Sequence, residues 1–326
     1  MVGVVAFNIL GILSKLILHP GIMEFTGVDF APTRIDYGEN THIIAGTQGE
    51  ICKIDSKGVE IGKTSVPLPS PCIDGTVIGD SWVGIWLDRE FRHARMCSLP
   101  LQSEWNDGPS REELRKSITF SEDDLVGPES AIWHRELDSE PLKIGAISDG
   151  LVFATTSGLY KINKDAKEIW RGMTPRWPEI SDIGNFDRIV GIIEFSRGLA
   201  IWTQAGGVSV LDPSNGLEIF SRVIRLGDKI SKVCYSEDGG WLILLHGSSI
   251  AIMDNIEDTP KIQKILGPSI CAEFSDNSWF WTGWRSDGII ANGEISYTER
   301  RSIGVGILDR KVLTNNGSWS DFGSSD

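Results

Sequence analysis

Five histidines and five cysteines are the residues best suited to metal binding or nucleophilic chemistry, and neither set is clustered. Their positions are His19, His42, His93, His134 and His246, and Cys52, Cys72, Cys97, Cys234 and Cys271. No two histidines are one helical turn apart, and no two cysteines have CxxC spacing. An odd, dispersed set of cysteines does not indicate a disulfide framework. We therefore predict no metal site and no cofactor.

The sequence also lacks the short motifs of common enzyme classes. It contains no HExxH, no EF-hand loop, no P-loop and no G-x-S-x-G elbow. We predict no catalytic residue, and this absence favours a protein without enzymatic activity. The alternative is a site assembled in the fold from residues that are distant in the sequence.

The segment 171–179 is the strongest candidate for contact with a partner. It combines Arg171, Arg176 and Trp177 with two prolines, and arginine and tryptophan are preferred anchors of protein interfaces. On this hypothesis Trp177 is partly exposed beside one of the arginines. The alternative is that Trp177 packs inside the protein and the prolines stiffen a turn.

A second, weaker candidate consists of Trp133, His134 and Arg135. The flanking Ile132 and Leu137 indicate a strand, which favours a structural role for these three residues.

Two short sequence patterns recur and predict the elements that position these residues. The first, an apolar stretch followed by small and acidic residues, appears at 35–40, 233–238 and 272–277. The second, a glycine followed by alternating apolar residues and an Asp or Asn, appears at 49–55, 158–163 and 207–212. A repeat of about 40 residues built from short strands is typical of a β-propeller.

The spacing of the repeats predicts the number of blades. The second strand of each repeat is expected near His42, Trp82, Leu151, Leu199, Trp241 and Trp279. These starts are 38 to 48 residues apart, except for one interval of 69. Strand-like stretches at 2–18, 21–28 and 302–314 would together form one more blade, closed by strands from both termini. Such closure removes a free sheet edge.

We therefore predict an all-β protein, a seven-bladed β-propeller with one short helical insertion, and keep six or eight blades as alternatives. The propeller is expected to be a single domain over residues 1–314. Residues 315–326 are rich in Gly, Ser and Asn and are expected to form a flexible tail.

The long interval contains an insertion over residues 103–140. Within it, 110–117 is predicted to form a helix, because Ser110 and Glu113 have the spacing of a capping box and acidic residues precede basic ones. We expect the helix on the outside of the ring, where the insertion would contribute little to stability.

The segment 158–170 resembles the repeat of pyrroloquinoline-quinone-type (PQQ-like) propellers, with a Gly, alternating apolar residues, a turn Asp and a Trp. Segments 207–220 and 49–61 match this pattern in part. The pattern is shared with WD-repeat-like propellers, although the Gly-His and Trp-Asp dipeptides typical of that family are absent. No position matches the quinone or calcium ligands of the PQQ-like proteins, so the resemblance implies the fold alone.

The charge balance bears on the class of partner. The formal net charge of −14 argues against binding to nucleic acid or to an anionic membrane, because both require faces rich in Lys and Arg. Residues 2–14 are uncharged and mostly apolar, and we interpret them as buried strands, with a signal or membrane anchor as the alternative. We expect a cytoplasmic location.

Taken together, the sequence predicts a monomeric, non-catalytic propeller that binds another protein, as an interaction or scaffold module. The alternative function is an enzyme or a propeller that binds a small ligand or metal at the mouth of its central channel. Converging carboxylates, His or Arg in the channel would favour the alternative, and an exposed aromatic patch on the rim would favour the interaction module.

Overall fold

The computed structural model describes residues 25–120, 126–181 and 187–325, which form seven antiparallel sheets. The seven-bladed β-propeller is therefore confirmed. The strands expected at 2–18 lie outside the described residues. Among the described residues, no helix is long and apolar enough to cross a bilayer.

The sheets follow one another along the chain, and we number them as blades 1 to 7. Blade 1 contains β1 (Pro32–Asp36), β2 (Thr41–Gly46) and β3 (Ile51–Asp55). Blade 2 contains β4 (Cys72–Ile78), β5 (Ser81–Asp88), β6 (His93–Pro100) and β7 (Trp133–Leu137). Blade 3 contains β8 (Pro141–Ile147), β9 (Gly150–Thr155), β10 (Leu159–Ile162) and β11 (Glu168–Gly172). Blade 4 contains β12 (Ile189–Phe195), β13 (Gly198–Thr203), β14 (Gly207–Leu211) and β15 (Glu218–Val223).

The remaining blades repeat this arrangement. Blade 5 contains β16 (Ile230–Ser236), β17 (Gly240–Leu245), β18 (Ser249–Met253) and β19 (Lys261–Lys264). Blade 6 contains β20 (Ser269–Ser275), β21 (Ser278–Gly283), β22 (Ser286–Ala291) and β23 (Glu294–Glu299). Blade 7 contains β24 (Gly304–Leu308), β25 (Lys311–Thr314) and β26 (Trp319–Asp321). The two helices of the described chain are α1 (Arg111–Phe120) and α2 (Pro178–Ser181).

The strand order defines two faces of the ring. Within a meander, the loop between the second and third strands and the connection to the next blade emerge at the same end. We call the face that carries these loops the upper face. The first strands of all blades lie next to one another in a closed ring, β1–β4–β8–β12–β16–β20–β24–β1, and surround the central channel.

Hydrophobic contacts between neighbouring blades form most of the core. The second strands β9 and β17 are buried along their whole length, because each is covered by a blade on both sides. Trp82, Trp202, Trp241 and Trp281, all on second strands, are among the largest fully buried side chains. The alternation in the repeats therefore places one set of apolar residues against each neighbouring blade.

Blades 7 and 1 meet at the closure of the ring. The Tyr37 hydroxyl donates to the Ile307 carbonyl oxygen at 2.7 Å and accepts a hydrogen bond from the Ile307 amide at 3.1 Å. On the outer side, Phe25 packs on Trp319 with ring centroids 4.8 Å apart, and the Trp319 indole donates to the Thr26 carbonyl oxygen at 3.0 Å. The N-terminal segment thus contacts blade 7, and a strand from 2–18 remains a prediction.

The prediction of a flexible tail at 315–326 is wrong for most of that segment. Residues 319–321 form β26, and the Phe322 ring packs on Phe280 at 5.4 Å. The Gly, Ser and Asn residues that suggested a tail instead form the tight turn before β26, where Asn316 accepts a hydrogen bond from the Ser318 amide at 3.1 Å. A composition typical of disorder is also the composition of a turn.

The helix of the insertion forms as predicted. The Ser110 amide donates to the Glu113 carboxylate at 2.7 Å, and the Glu113 amide donates to the Ser110 hydroxyl at 3.3 Å, which is a complete capping box.

The expected peripheral role of the insertion is wrong for its first part. Trp105 is buried against Trp82, with ring centroids 6.0 Å apart, and the Lys53 amine lies 4.8 Å from the Trp105 ring centroid. This part of the insertion therefore belongs to the core between blades 1 and 2.

The junction of blades 6 and 7 contains a buried ion pair. Arg300 donates to both oxygens of Asp287 at 2.8 and 2.9 Å, and both side chains are almost completely buried. Asp287 also accepts hydrogen bonds from the Thr282 hydroxyl at 2.6 Å and the Gly323 amide at 2.8 Å. These contacts offset part of the desolvation cost of the two charges, although the buried Arg300 Nε has no hydrogen-bond partner among the described residues.

We predict that Asp287→Asn lowers the free energy of unfolding by about 3 kcal/mol or more, because it leaves the Arg300 charge buried without a counter-ion. The matched control is Asp276→Asn, which removes an ion pair to Arg310 from a carboxylate that is 83% exposed, and it should cost less than about 1 kcal/mol. Urea unfolding of the two variants measures the difference. Equal effects would contradict a stabilising role for the buried pair.

Candidate functional site

The loop predicted to contact a partner lies on the upper face, but its tryptophan is buried. Trp177 is only 6% exposed, and its indole donates to the Ser221 hydroxyl of β15 at 2.8 Å. The ring lies directly over Gly207, where a Cβ atom would come within 2.4 Å of it. The expected exposure of Trp177 is therefore wrong, because the ring fills a space that the missing side chain of Gly207 leaves open.

The two arginines of that loop remain on the surface. Arg171 makes a bidentate ion pair with Glu168, with both distances 2.7 Å, and its guanidinium lies over the Tyr160 ring. Arg176 is exposed, and Met173 between them is 80% exposed. These residues are available to a partner, whereas Trp177 is not.

The weaker candidate residues lie in β7 and contact blade 3. The Trp133 indole donates to the Lys164 carbonyl oxygen at 2.7 Å, and Arg135 reaches the Ala166 carbonyl oxygen at 3.5 Å. Burial, with a contribution from the charge of Arg95, lowers the pKa of His134. Trp133 and Arg135 therefore join blades 2 and 3.

An exposed aromatic side chain lies elsewhere on the upper face, at Trp284. All twelve tryptophans lie in the described residues, and Trp284, 52% exposed, is the one on the surface. It occupies the two-residue loop between β21 and β22, beside the exposed Leu266 of the connection from blade 5. The two side chains line a cleft of about 470 Å³ whose other walls include Arg285 and Arg301.

The backbone around Trp284 is held in place on both sides. The Trp284 amide donates to the Pro268 carbonyl oxygen at 2.8 Å, and the Arg300 amide donates to the Arg285 carbonyl oxygen at 2.9 Å. Arg285 has a φ of +56°, a conformation that glycine adopts at lower cost. Its guanidinium lies 5.9 Å from the Trp284 ring centroid. The exposed aromatic is thus presented on a fixed loop.

A second concave region lies on the same face at blade 4 and its connections to blades 3 and 5. It is a groove of about 600 Å³ whose walls combine the apolar Ile180, Val223 and Leu226 with the charged Arg225 and Asp228. Together, the groove and the Trp284 cleft give the upper face two recesses that combine apolar and charged side chains.

Several polar side chains lie at one level of the strands that surround the central channel, which the sequence did not reveal. In all seven first strands, the pairing with the second strand shifts by one residue at the same place. Such a bulge re-aims the residue that follows it. The residues after the seven bulges are Arg34, Asp74, Lys143, Gly191, Lys232, Cys271 and Gly306. We call this set the channel ring.

Ion pairs connect the first half of the channel ring across blades 1 to 3. Arg34 donates to Asp36 at 2.8 Å and lies 4.0 Å from Asp74. Asp74 accepts hydrogen bonds from the Lys143 amine at 2.8 Å and from the Ile144 amide at 3.0 Å. Burial raises the pKa of Asp36, although Arg34 opposes this shift. Asp36 and Asp74 therefore both form ion pairs with cations of the channel ring.

The second half of the channel ring brings together Lys232 and thiols. The Cys271 sulfur lies 3.5 Å from the Tyr37 hydroxyl. Side chains of blades 1 and 6 are therefore in contact, although blade 7 separates the two blades around the ring. The Cys271 sulfur is the main cause of a raised pKa for Lys232, and Asp36 and Asp74 contribute from the other side of the ring. Burial raises the pKa of Cys234 to about 11.

Among the described residues, no group of three or more His, Cys, Asp or Glu side chains is placed to hold a metal ion. The polar groups that converge in the channel are mainly cations and carboxylates already paired with them. Such an arrangement does not place a nucleophile beside a base.

Sequence reasoning missed both Trp284 and the channel ring. A signal for the first exists, because the loop between the second and third strands contains only small or polar residues in blades 1, 3, 4 and 5, such as Ala205 and Gly247. A tryptophan at this position departs from that pattern. The ring had no such signal, since its members are spread over residues 34–306.

No protein-family model matches the chain, and no curated protein matches it in sequence. Solved structures do match. The WD40 propeller domain of Doa1 has a TM-score of 0.62 at 10% identity, over 93% of this chain and 92% of that one. The propeller domain of Cps50 (Swd1) from Myceliophteria thermophila also has a TM-score of 0.62 at 10% identity, over 92% and 99%. BamB from Moraxella catarrhalis has a TM-score of 0.55 at 10% identity, over 90% and 84%.

These similarities confirm the resemblance to WD-repeat-like and PQQ-like propellers at the level of fold. At 10% identity they carry no information on the partner or ligand of this chain, because one fold hosts many functions.

We predict that Trp177→Ala lowers the free energy of unfolding by about 3–5 kcal/mol, since it creates a cavity over Gly207. Met173→Ala, in the same loop, should change it by no more than about 0.5 kcal/mol. Denaturant melts of both variants provide the comparison. A Trp177→Ala protein as stable as the Met173→Ala protein would show that the tryptophan is not part of the core.

Proposed function

We propose that the protein is a non-catalytic interaction module that binds another protein through its upper face, with Trp284 as the central contact. The observation that carries this proposal is the exposure of one tryptophan on a rigid loop, while the other eleven are at least partly buried. A large apolar side chain in water is unfavourable, and such residues on a fixed rim are typical of interface anchors.

The surroundings of Trp284 favour a partner surface that combines apolar and acidic groups. Leu266 adds a second exposed apolar side chain. Arg285 and Arg301 outnumber the one carboxylate of the cleft, Glu299, so the cleft carries an excess of positive charge in a protein with a net charge of −14. A partner segment that presents an apolar residue beside a carboxylate would complement both features. Its charge would also be attracted to this patch more than to the rest of the surface.

The loop at 171–176 is proposed as an outer part of the same interface. Arg171, Met173 and Arg176 are exposed on the upper face, in the connection whose later residues Glu179 and Ile180 line the groove at blade 4. A partner that covers the cleft and the groove together would reach this loop. Trp177 contributes to that interface indirectly, since it fixes the start of α2.

We predict that Trp284→Ala weakens partner binding by about 2 kcal/mol or more, which is roughly a 30-fold loss of affinity, without reducing stability. The matched control is Tyr297→Ala, because Tyr297 is also 52% exposed and also lies in blade 6, but on the outer strand β23. The experiment compares the proteins captured from native lysate by the wild type and both variants, with thermal melts of each.

The proposal requires a protein that the wild type and Tyr297→Ala capture equally and that Trp284→Ala loses. Equal capture by both variants, with unchanged melting temperatures, would remove the Trp284 cleft as the interface.

A further inference from the structure

The chain contains three Asn-Gly pairs, namely Asn215-Gly216, Asn292-Gly293 and Asn316-Gly317. Such a pair can undergo an intramolecular reaction, in which the glycine amide nitrogen attacks the side-chain carbonyl carbon of the asparagine and forms a cyclic imide. Glycine favours this attack because it has no side chain to hinder the approach. The three dipeptides are chemically identical, so their local structures decide which of them reacts.

The pair at Asn215 is held by hydrogen bonds. The Gly216 amide, which would be the nucleophile, donates to the Asp212 carbonyl oxygen at 2.8 Å. The Asn215 carboxamide accepts a hydrogen bond from the Leu217 amide at 2.8 Å and donates to the Asp212 carboxylate at 3.1 Å. A Cβ atom on Gly216 would lie 2.9 Å from the Trp170 ring, so this side of the turn is covered.

The pair at Asn316 is held in the same way. The Gly317 amide donates to the Thr314 carbonyl oxygen at 2.9 Å. The Asn316 side-chain oxygen accepts hydrogen bonds from the Ser318 amide at 3.1 Å and from the Ser318 hydroxyl at 2.7 Å. Gly317 is buried, and a Cβ atom on it would lie 2.1 Å from the Val28 carbonyl oxygen.

The pair at Asn292 has none of these restraints. It forms the two-residue turn between β22 and β23, where Ala291 pairs with Glu294. Both residues of the turn have positive φ, +52° and +80°, as Asn-Gly hairpin turns do. Both are exposed, and nothing lies within 4 Å of the position of a Cβ atom on Gly293. Among the described residues, the Asn292 side chain and the Gly293 amide have no hydrogen-bond partner.

The turn can also open at low cost. The attack requires the Asn292 side chain to rotate over the Gly293 amide. In the described chain, β23 is the outermost strand of blade 6, pairs only with β22 and is exposed at all but one of its residues. Such strand ends open locally at a small free-energy cost. The buried Arg300–Asp287 pair holds the other end of the hairpin, so the opening is limited to the turn.

We propose that Asn292 is the site at which this protein undergoes deamidation. The Gly293 amide nitrogen loses its proton to a solvent base and bonds to Cγ of Asn292, and the Cγ–Nδ2 bond breaks with release of ammonia. Water then opens the cyclic imide at either carbonyl carbon and gives aspartate or isoaspartate. Water is the only co-reactant, and no step changes an oxidation state.

The modification would alter the outer edge of blade 6. Both products add a negative charge at the turn, and isoaspartate also adds a carbon atom to the main chain. Because a two-residue turn fixes the register of its strands, isoaspartate should loosen the adjoining end of β23. The turn lies at the opposite end of the hairpin from the Trp284 cleft, so this inference and the proposed interface can each fail without the other.

The test incubates the full chain in mildly alkaline buffer at physiological temperature and follows the three pairs by peptide mapping with mass spectrometry. The conversion of an amide to an acid raises the mass of its peptide, and an isoaspartyl methyltransferase labels the isoaspartate product. Asn215 and Asn316 are controls within the same sample. A second control is the chain unfolded in urea, where the local structure is lost. The variant Asn292→Gln tests the assignment, because the longer side chain cyclises much more slowly.

We expect Asn292 to convert about tenfold faster than Asn215 or Asn316 in the native protein, because the hydrogen bonds at those two pairs must first break. In urea the three pairs should convert at similar rates. The Asn292→Gln substitution should remove the isoaspartate label from the native protein.

Three results would each overturn the proposal. The first is that Asn215 or Asn316 converts as fast as Asn292 in the native protein. The second is that Asn292 retains its side-chain amide in the native protein, whatever happens in urea. The third is that the preference for Asn292 is unchanged in urea, because its cause would then be the flanking sequence and not the turn.

Discussion

The structure depends on the fact that each blade has two apolar faces that only its neighbours can cover. A single sheet of three or four strands would leave both faces in water, and an open row of blades would leave two of them exposed. Among the described residues, six hydrophobic clusters each join two neighbouring blades. The junction of blades 6 and 7 contains the buried Arg300–Asp287 pair. Closing the ring covers every face and creates the channel.

The two candidate sites follow from this closure in different ways. The Trp284 cleft lies above the polar junction of blades 6 and 7, and Arg300 both lines the cleft and holds that junction together. The channel ring exists because seven bulges occur at one level of the first strands, so side chains far apart in sequence meet around a single axis.

The sequence was sufficient to predict the repeating frame. The expected starts of the second strands at 42, 82, 151, 199, 241 and 279 are each within one residue of an observed start, because alternation and turn residues are local properties. The capping box at Ser110 is local as well. Burial is not local. Trp177 and Trp284 both follow a strand in a polar loop, and what separates them is Gly207 beneath one ring and open space beside the other.

The propeller is a closed ring in which β1 and β24 pack together as the other neighbouring first strands do. Native-state hydrogen exchange measures this most directly, because it reports the free energy of opening for each strand. The account predicts that the amides of β1 and β24 exchange as slowly as those of β12 and β16, through the same global unfolding. Faster exchange of β1 and β24, at denaturant concentrations where the other blades remain protected, would show a ring that opens at this seam and would contradict the account.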